Sequence, residues 1–239
     1  MPIGGEKLQK KTKALKVAFP YTIPILTGYV FLGIAFGILL SSKGYHFIWA
    51  IIMSVFIYAG SMQFVTINIL LAPFNLLNTI LMTLMVNARH LFYGLSMLDK
   101  FRHMGQKKWY MIFSLSDETF SLHCSAKAPE DVDSNWFYFF ITLLNQFYWV
   151  LGSAIGAILG SLVEFNTKGI DFIMTALFVV IFLEQWKSTK NHKPALIGLG
   201  SSFLCLFIFG PTHFILPSML LMIITLTILR KFLDLEEIG

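Results

Sequence analysis

Residues 45–88 contain no Asp, Glu, Lys or Arg, and the charge that ends the run is Arg89, within Asn87-Ala88-Arg89-His90. A membrane crossing takes about 20 apolar residues, so the run exceeds one span and is only just enough for two. Arg89 costs on the order of 3 kcal/mol or more in hydrocarbon unless an anion, an aqueous cavity or the headgroups satisfy it. Leu91-Phe92-Tyr93-Gly94-Leu95-Ser96-Met97-Leu98 then resumes the apolar pattern. Membrane therefore flanks the polar tetrad on both sides, which is the pattern of a transport site.

Composition agrees with that reading, since 56% of the chain is hydrophobic and 13% charged. This is an all-α, polytopic helical membrane protein, with kinked or broken helices and about seven to eight spans expected. The uncharged stretches leave no room for a fused soluble domain. Residues 1–16 read as a basic cytoplasmic segment carrying Lys7, Lys10, Lys11, Lys13 and Lys16, residues 17–230 as a single transmembrane transporter domain, and 231–239 as a short polar tail. Such basic clusters, with Arg230 and Lys231 after the last span, are topology signals and not a nucleic-acid footprint. The first apolar run is too long for a signal-peptide core and lacks its cleavage site, so it stays as a spanning helix. Cys124 and Cys205 fit packed thiols better than a disulfide framework.

The expected spans are 17–42, 48–70, 74–98, 109–126, 136–163, 170–183, 194–209 and 214–229. Pro20 and Pro24 each remove a backbone donor, so the first helix should kink or break near its start, either to line a site or simply to pack. Gly33 and Gly37 form a small-residue face for close helix contact, and Asn145, Trp149, Gly152 and Gly156 share a helical face. Gly60-Ser61-Met62-Gln63 loosens the second run, with Gln63 open to a substrate role or to interhelical hydrogen bonding. Glu184-Gln185-Trp186-Lys187 reads as an interfacial end, and Pro211-Thr212-His213 as a turn.

Asp117 and Glu118 interrupt 109–126, and two adjacent carboxylates cannot both face lipid. At helical spacing Ser114, Asp117, Ser121 and Cys124 would form a polar stripe lining a cavity; an interfacial segment with solvated carboxylates is the other reading. The acidic linker 129–133 is the natural midpoint boundary. Leu32-Gly33-Ile34-Ala35-Phe36-Gly37 resembles Leu151-Gly152-Ser153-Ala154-Ile155-Gly156, and Lys43-Gly44-Tyr45-His46-Phe47-Ile48 resembles Lys168-Gly169-Ile170-Asp171-Phe172-Ile173, which points to an internal repeat of undetermined orientation.

Eight simple spans with cytoplasmic termini place Lys187, Lys190 and Lys193 inside but put the lysine-rich 100–108 loop outside. A re-entrant segment at Gly60–Gln63, or a non-spanning 109–126, would move that loop to the other side.

Gly60-Ser61-Met62-Gln63-Phe64, Asn87-Ala88-Arg89-His90-Leu91-Phe92-Tyr93-Gly94 and Ser116-Asp117-Glu118-Thr119-Phe120, in this order and spacing, resemble the motifs of the AzlC family, large subunits of bacterial branched-chain amino acid exporters. Ala88 stands where a bulkier aliphatic residue is expected and Ser116 where threonine is common. The resemblance implies a secondary transporter subunit in the bacterial cytoplasmic (inner) membrane. It would export branched-chain or other neutral hydrophobic amino acids, coupled to an ion gradient, with a small hydrophobic AzlD-type membrane subunit as partner.

A zwitterionic substrate needs a cation or helix N-terminus for its carboxylate, an acceptor for its ammonium and an apolar pocket. Arg89, or the amides of a helix broken at Gly60, Pro20 or Pro24, could take the carboxylate, and Asp117 or Glu118 the ammonium. Phe64, Phe92 and Phe120 could take the aliphatic group, with Gln63, Asn87 and His90 as further polar candidates. No metal-ligand spacing, nucleophile elbow or phosphate loop occurs, so neither enzyme, metal nor cofactor is expected. A channel for small polar solutes or a non-catalytic membrane subunit is the alternative.

Overall fold

The computed structural model describes residues 3–73, 75–163, 172, 179, 182–183, 186–187 and 191–234, and the described regular structure is entirely helical. The chain divides into two compact units, Met1–Ile173 and Met174–Gly239. The expected span 170–183, Glu184-Gln185, Lys190, most of Lys168-Gly169-Ile170-Asp171-Phe172-Ile173 and the tail 235–239 lie outside the described residues, as do the side chains of His213, Arg230 and Lys231.

The first unit is built on α1 (Ile3–Ser42) and α8 (Ser134–Leu162). Ala14 and Ala18 pack with Phe137 and Ile141, Thr22 Oγ1 lies 3.0 Å from Tyr148 OH, and Gly160 meets Ile38 and Ser41. Numbers rise together on both helices, so α1 and α8 are parallel. Their backbones touch: a Cβ at Gly33 would lie 2.8 Å from Ser153 N, and one at Gly152 2.7 Å from Val30 O. The two glycine-bearing segments that resemble each other are therefore packed against each other in the same direction.

Pro20 and Pro24 do not break α1, which continues through both. Packing along α8 accompanies the helix past the lost donors, and hydroxyls of Thr22 and Thr27 add bonds to the carbonyls of Phe19 and Pro24.

Residues 48–70 do not form one span. They make α2 (Phe47–Phe56) and α3 (Gly60–Leu71), of 10 and 12 residues, about 15 and 18 Å long against a hydrocarbon core of about 30 Å. Gln63 Nε2 donates to Ser54 Oγ near the tip and Tyr45 OH reaches Leu70 O at the mouth. The two helices are therefore antiparallel, a hairpin that enters and leaves at the face where α1 ends. Its tip, at 57–59, forces Tyr58 to φ +38°.

Helix α4 (Leu76–Ser96) has 21 residues, about 32 Å, enough to cross. It brings Met97 to a cluster with Phe101, Met104, Met111 and Leu115, beyond the one-turn helix α5 (Leu98–Phe101).

Residues 109–126 do not span either. In α6 (Lys107–Phe113) and α7 (Asp117–Ser125) the chain again goes in and comes back. Lys107 Nζ sits over Trp136, and Tyr110 OH donates to Gln146 Oε1 at 2.5 Å. Asn145 Nδ2 donates to Thr119 Oγ1, His123 Nε2 meets Thr142 Oγ1, and Tyr138 OH donates to Ala126 O. Helix α6 thus climbs along α8 and α7 descends, in a hairpin from the face opposite to the first.

That second face holds the lysines. Lys13 pairs with Asp131 at 2.6 Å, Lys11 and Lys107 flank Trp136, and Lys100 lies 4.0 Å from the Tyr138 ring centroid. The 100–108 loop is therefore on the same face as the N-terminal lysines, as the positive-inside rule prefers. The 129–133 linker is not a boundary, because Val132 is buried with Ala14, Ala18 and Phe137.

In the second unit, α9 (Lys193–His213) and α10 (Ile215–Asp234) are helical, and α9 starts with Pro in its first turn. Backbone reversal occurs at Gly210 (φ 72°, ψ 173°) and not at Pro211-Thr212-His213, which return to helix, because the left-handed φ favours glycine. Trp186 stacks on His192 with centroids 4.1 Å apart.

Candidate functional site

The two hairpin tips meet beside Tyr29, which lies halfway along the uncharged 17–42 segment, about 18–20 Å from either end at helical rise. Helix α3 starts at Gly60 with no side-chain cap from Ala59. Its first turn is seated on Trp149, where a Cβ at Gly60 would come to 3.0 Å from the indole. Helix α7 starts at Ser116, whose hydroxyl accepts from Thr119 N at 3.1 Å, and places Asp117 and Glu118 in the first turn. A helix N-terminus attracts anions, and α7 supplies its own in Asp117 and Glu118 while α3 has no acidic residue in its first turn.

Arg89 joins the two starts. Its Nη2 donates to Ser61 Oγ at 2.7 Å and lies 3.1 Å from Asp117 Oδ2. Asp117 Oδ1 also accepts from Tyr93 OH at 2.6 Å. Glu118 has a different partner: Tyr29 OH donates to its Oε2 at 2.7 Å and stands 2.5 Å from Ser116 Oγ. The Arg89 and Asp117 side chains keep 29% and 20% of their exposure, so the pair is partly buried. Both carboxylates are thus set among protein partners.

Phe120 stacks on Tyr93 at 4.5 Å beside the pair, and His90, with Nδ1 3.3 Å from Asn87 O, faces Tyr93 edge-on. Asn87 Oδ1 is buried without a hydrogen-bond partner. Three expected site residues lie elsewhere. Gln63 is fully buried, accepts from Trp149 Nε1 at 2.7 Å and donates to Ser54, so it fastens the hairpin to α8. Phe64 packs on Phe36 of α1, and Phe92 is 47% exposed and so not enclosed. The stripe Ser114, Asp117, Ser121, Cys124 does not form, because Ser114 caps α6 while Asp117 begins α7; Ser121 and Cys124 are exposed and Thr119 and His123 form the buried face instead.

Sequence reasoning left out Tyr29, Tyr58 and Thr119 as site candidates, while Ser61 was noted only as part of the loosened Gly60–Gln63 stretch. Tyr29 carried a signal, a phenol in the middle of a span, where a buried hydroxyl needs a partner. Tyr58 carried none, since its backbone strain exists only in the folded tip. Among the described residues no group of three or more His, Cys, Asp or Glu side chains could hold a metal.

Three relatives are similar over most of their length. The branched-chain amino acid transport protein AzlC of Bacillus subtilis (strain 168) is 57% identical over 226 residues, 95% of this chain and 89% of that protein. An uncharacterized membrane protein of Haemophilus influenzae is 44% identical, covering 95% and 94%, and the inner membrane protein YgaZ of Escherichia coli (strain K12) is 29% identical, covering 74% and 76%. No solved structure matches. The family model described as AzlC protein matches residues 24–163, the stretch that holds both hairpins and the pair between them, and the chain belongs to the AzlC family.

Proposed function

We propose that the chain is the large subunit of a secondary transporter that exports branched-chain or other neutral hydrophobic amino acids across the bacterial cytoplasmic membrane, with the lysine-rich face in the cytoplasm. A proton gradient drives it, and a small AzlD-type membrane subunit completes it. The observation that carries this reading is Arg89 held between Ser61 and Asp117 where two half-length helices begin at mid-depth. Its family setting, with a relative that is a branched-chain amino acid transport protein, supports the same substrate class.

An amino acid zwitterion can exchange with the internal ion pair. Its carboxylate takes Arg89 and the uncapped amides of α3, and its ammonium takes Asp117, so no net charge is added at mid-depth and no ion is left uncompensated. The Phe120–Tyr93 stack offers an apolar wall for the aliphatic side chain. Hairpins from opposite faces suit alternating access, since withdrawing one tip opens the site to one side while the other stays shut. Binding energy gained at the pair then selects the occupied, movable state.

The test is labelled leucine efflux from proteoliposomes holding the chain with and without the small subunit. Efflux that requires both subunits and is lost in Arg89→Gln supports the reading. Efflux unchanged by Arg89→Gln removes the pair as the carrier site.

A further inference from the structure

Gln146, on α8, is bonded to both hairpins, and zwitterion binding does not use it. Its Oε1 accepts from Tyr110 OH of α6 at 2.5 Å, and its Nε2 donates to Val55 O near the end of α2 at 3.2 Å. The other polar side chains of α8 at this level each serve one hairpin. Trp149 donates to Gln63 of the first, and Asn145 and Thr142 meet Thr119 and His123 of the second. A bond to one hairpin fixes that hairpin on α8. A residue bonded to both is pulled two ways when they part, so one of its bonds must break.

The two bonds differ in what they would leave behind. Among the described residues no backbone N–H reaches Val55 O, because those of Ile57 and Tyr58 both return to Met53 O as the chain leaves α2. Parting at Val55 therefore strands a helix-end carbonyl together with the Gln146 N–H. Parting at Tyr110 strands the Gln146 oxygen alone, since the phenol has a second partner at the end of its own helix. Ser114, the C-cap of α6, is fully buried, and its Oγ lies beside the Tyr110 phenol without a hydrogen-bond partner. It travels with Tyr110. One more unpaired buried polar group shifts an equilibrium by about tenfold, so Gln146 lets go of Tyr110 first and keeps its hold on the first hairpin.

Helix α7 has its own bonds to α8, through Thr119, His123 and the carbonyl of Ala126. Helix α6 meets α8 through Lys107 on the Trp136 ring, the Tyr110 ring on Phe139 and the Tyr110 hydroxyl on Gln146. The first two are contacts of a flexible chain and of apolar faces, which survive a small swing; the hydroxyl bond is directional and does not. On its other side α6 packs Met111 and Leu115 among Met97, Phe101 and Met104, and unbranched thioethers adapt to such a movement.

We infer that Gln146 is a positioning residue for the transport step: it clasps α6 to the first hairpin, and transfer of the Tyr110 hydroxyl from Gln146 to Ser114 lets α6 swing. The swing uncovers the start of α7, where Asp117 and Glu118 stand, toward the lysine-rich face. Gln146 acts through Tyr110 and does not touch the substrate. The inference rests on the alternating-access reading above and adds the element that moves and the bond that opens.

The test uses the full chain with its small subunit in proteoliposomes, with Cys124 and Cys205 replaced by serine and Leu115→Cys as the reporter, since Leu115 is 2% exposed between α6 and α7. The readout is the rate at which an impermeant thiol reagent labels position 115 from the lysine-rich side. Tyr110→Phe removes the clasp and should raise that rate by about fivefold or more, and Gln146→Met should match it. Ser114→Ala removes the second partner and should lower the rate by about threefold or more, with leucine binding within about twofold of wild type in all three. Faster labelling in Ser114→Ala as well would mean that these side chains only pack the tip, and a wild-type rate in Tyr110→Phe or Gln146→Met would remove the clasp. Labelling is read without leucine, so the clasp stands or falls on it even where efflux fails and the transporter reading falls.

Discussion

Arg89 Nη2 stands 3.1 Å from Asp117 Oδ2, and the two residues come from elements with opposite histories: a crossing helix, and the first turn of a hairpin that enters from the lysine-rich face. Because the same Nη2 also reaches Ser61 on the hairpin from the other face, one guanidinium holds both tips. Under the proposed function, a ligand that replaces Asp117 on Arg89 would remove the side-chain link that Arg89 makes between Ser61 and Asp117.

Removing either charge should separate binding from folding. Asp117→Asn and Arg89→Gln are each expected to weaken leucine binding by about 10- to 100-fold, the worth of one charge-assisted hydrogen bond at about 1.5–3 kcal/mol. Thermal unfolding of the same variants in detergent measures the stability change apart from the binding change, since each variant strips one partner from the pair. Equilibrium binding of labelled leucine checks this, and wild-type affinity in both variants would place the substrate elsewhere.

The helical class and the charged motifs were legible because charge is so scarce: Arg89, Asp117 and Glu118 interrupt long apolar runs and demand partners. What sequence periodicity could not show was direction. A hairpin of two half-length helices and one full span have the same apolar length, and only Tyr45 meeting Leu70 and Ser54 meeting Gln63 distinguish them. The lysine-rich 100–108 loop did record the answer, as a violation of the charge rule. Pro20 and Pro24 do not interrupt α1, whereas the break at 57–59 contains no proline. Gln63 was open to a substrate role or to interhelical hydrogen bonding, and its bonds to Ser54 and Trp149 are the second: a buried amide in a membrane must spend its bonds somewhere.

The two-hairpin topology makes a labelling prediction. Single cysteines at Lys10 and Lys107 should react with an impermeant thiol reagent from the cytoplasmic side alone, and cysteines at Gly44 and Ala72 from the other side alone. Labelling of position 107 and position 44 from one side would undo the parallel α1–α8 arrangement.

Close approach at the α1–α8 seam predicts an uneven response to a single methyl group. A Cβ at Gly156 would fall inside contact distance of the Ile34 backbone, while one at Gly94 meets nothing within 4 Å. Gly156→Ala should cost about 1–3 kcal/mol by overpacking, and Gly94→Ala should be neutral or stabilise by up to about 1 kcal/mol through helix propensity. Thermal unfolding in detergent checks both, and equal midpoints would mean that the seam yields without strain.

The last prediction separates two carboxylates that adjoin in sequence. Asp117 is tied to a guanidinium and a phenol, and Glu118 to the phenol of Tyr29. A carboxylate that keeps its cation stays charged and suits a substrate ammonium. One held by a hydroxyl can accept a proton without breaking an ion pair, and protonation merely reverses which oxygen donates. Glu118→Gln mimics the protonated form and keeps a donor toward Tyr29, so this variant should bind leucine within about threefold of wild type and retain exchange, yet lose gradient-driven transport by about tenfold or more, near 1.4 kcal/mol. Asp117→Asn should lose binding first, and with it both modes of transport. Leucine binding, exchange and driven transport measured on the two variants side by side decide the matter. If both substitutions give one phenotype, the carboxylates act as a single unit and the assignment of substrate to Asp117 and proton to Glu118 is wrong.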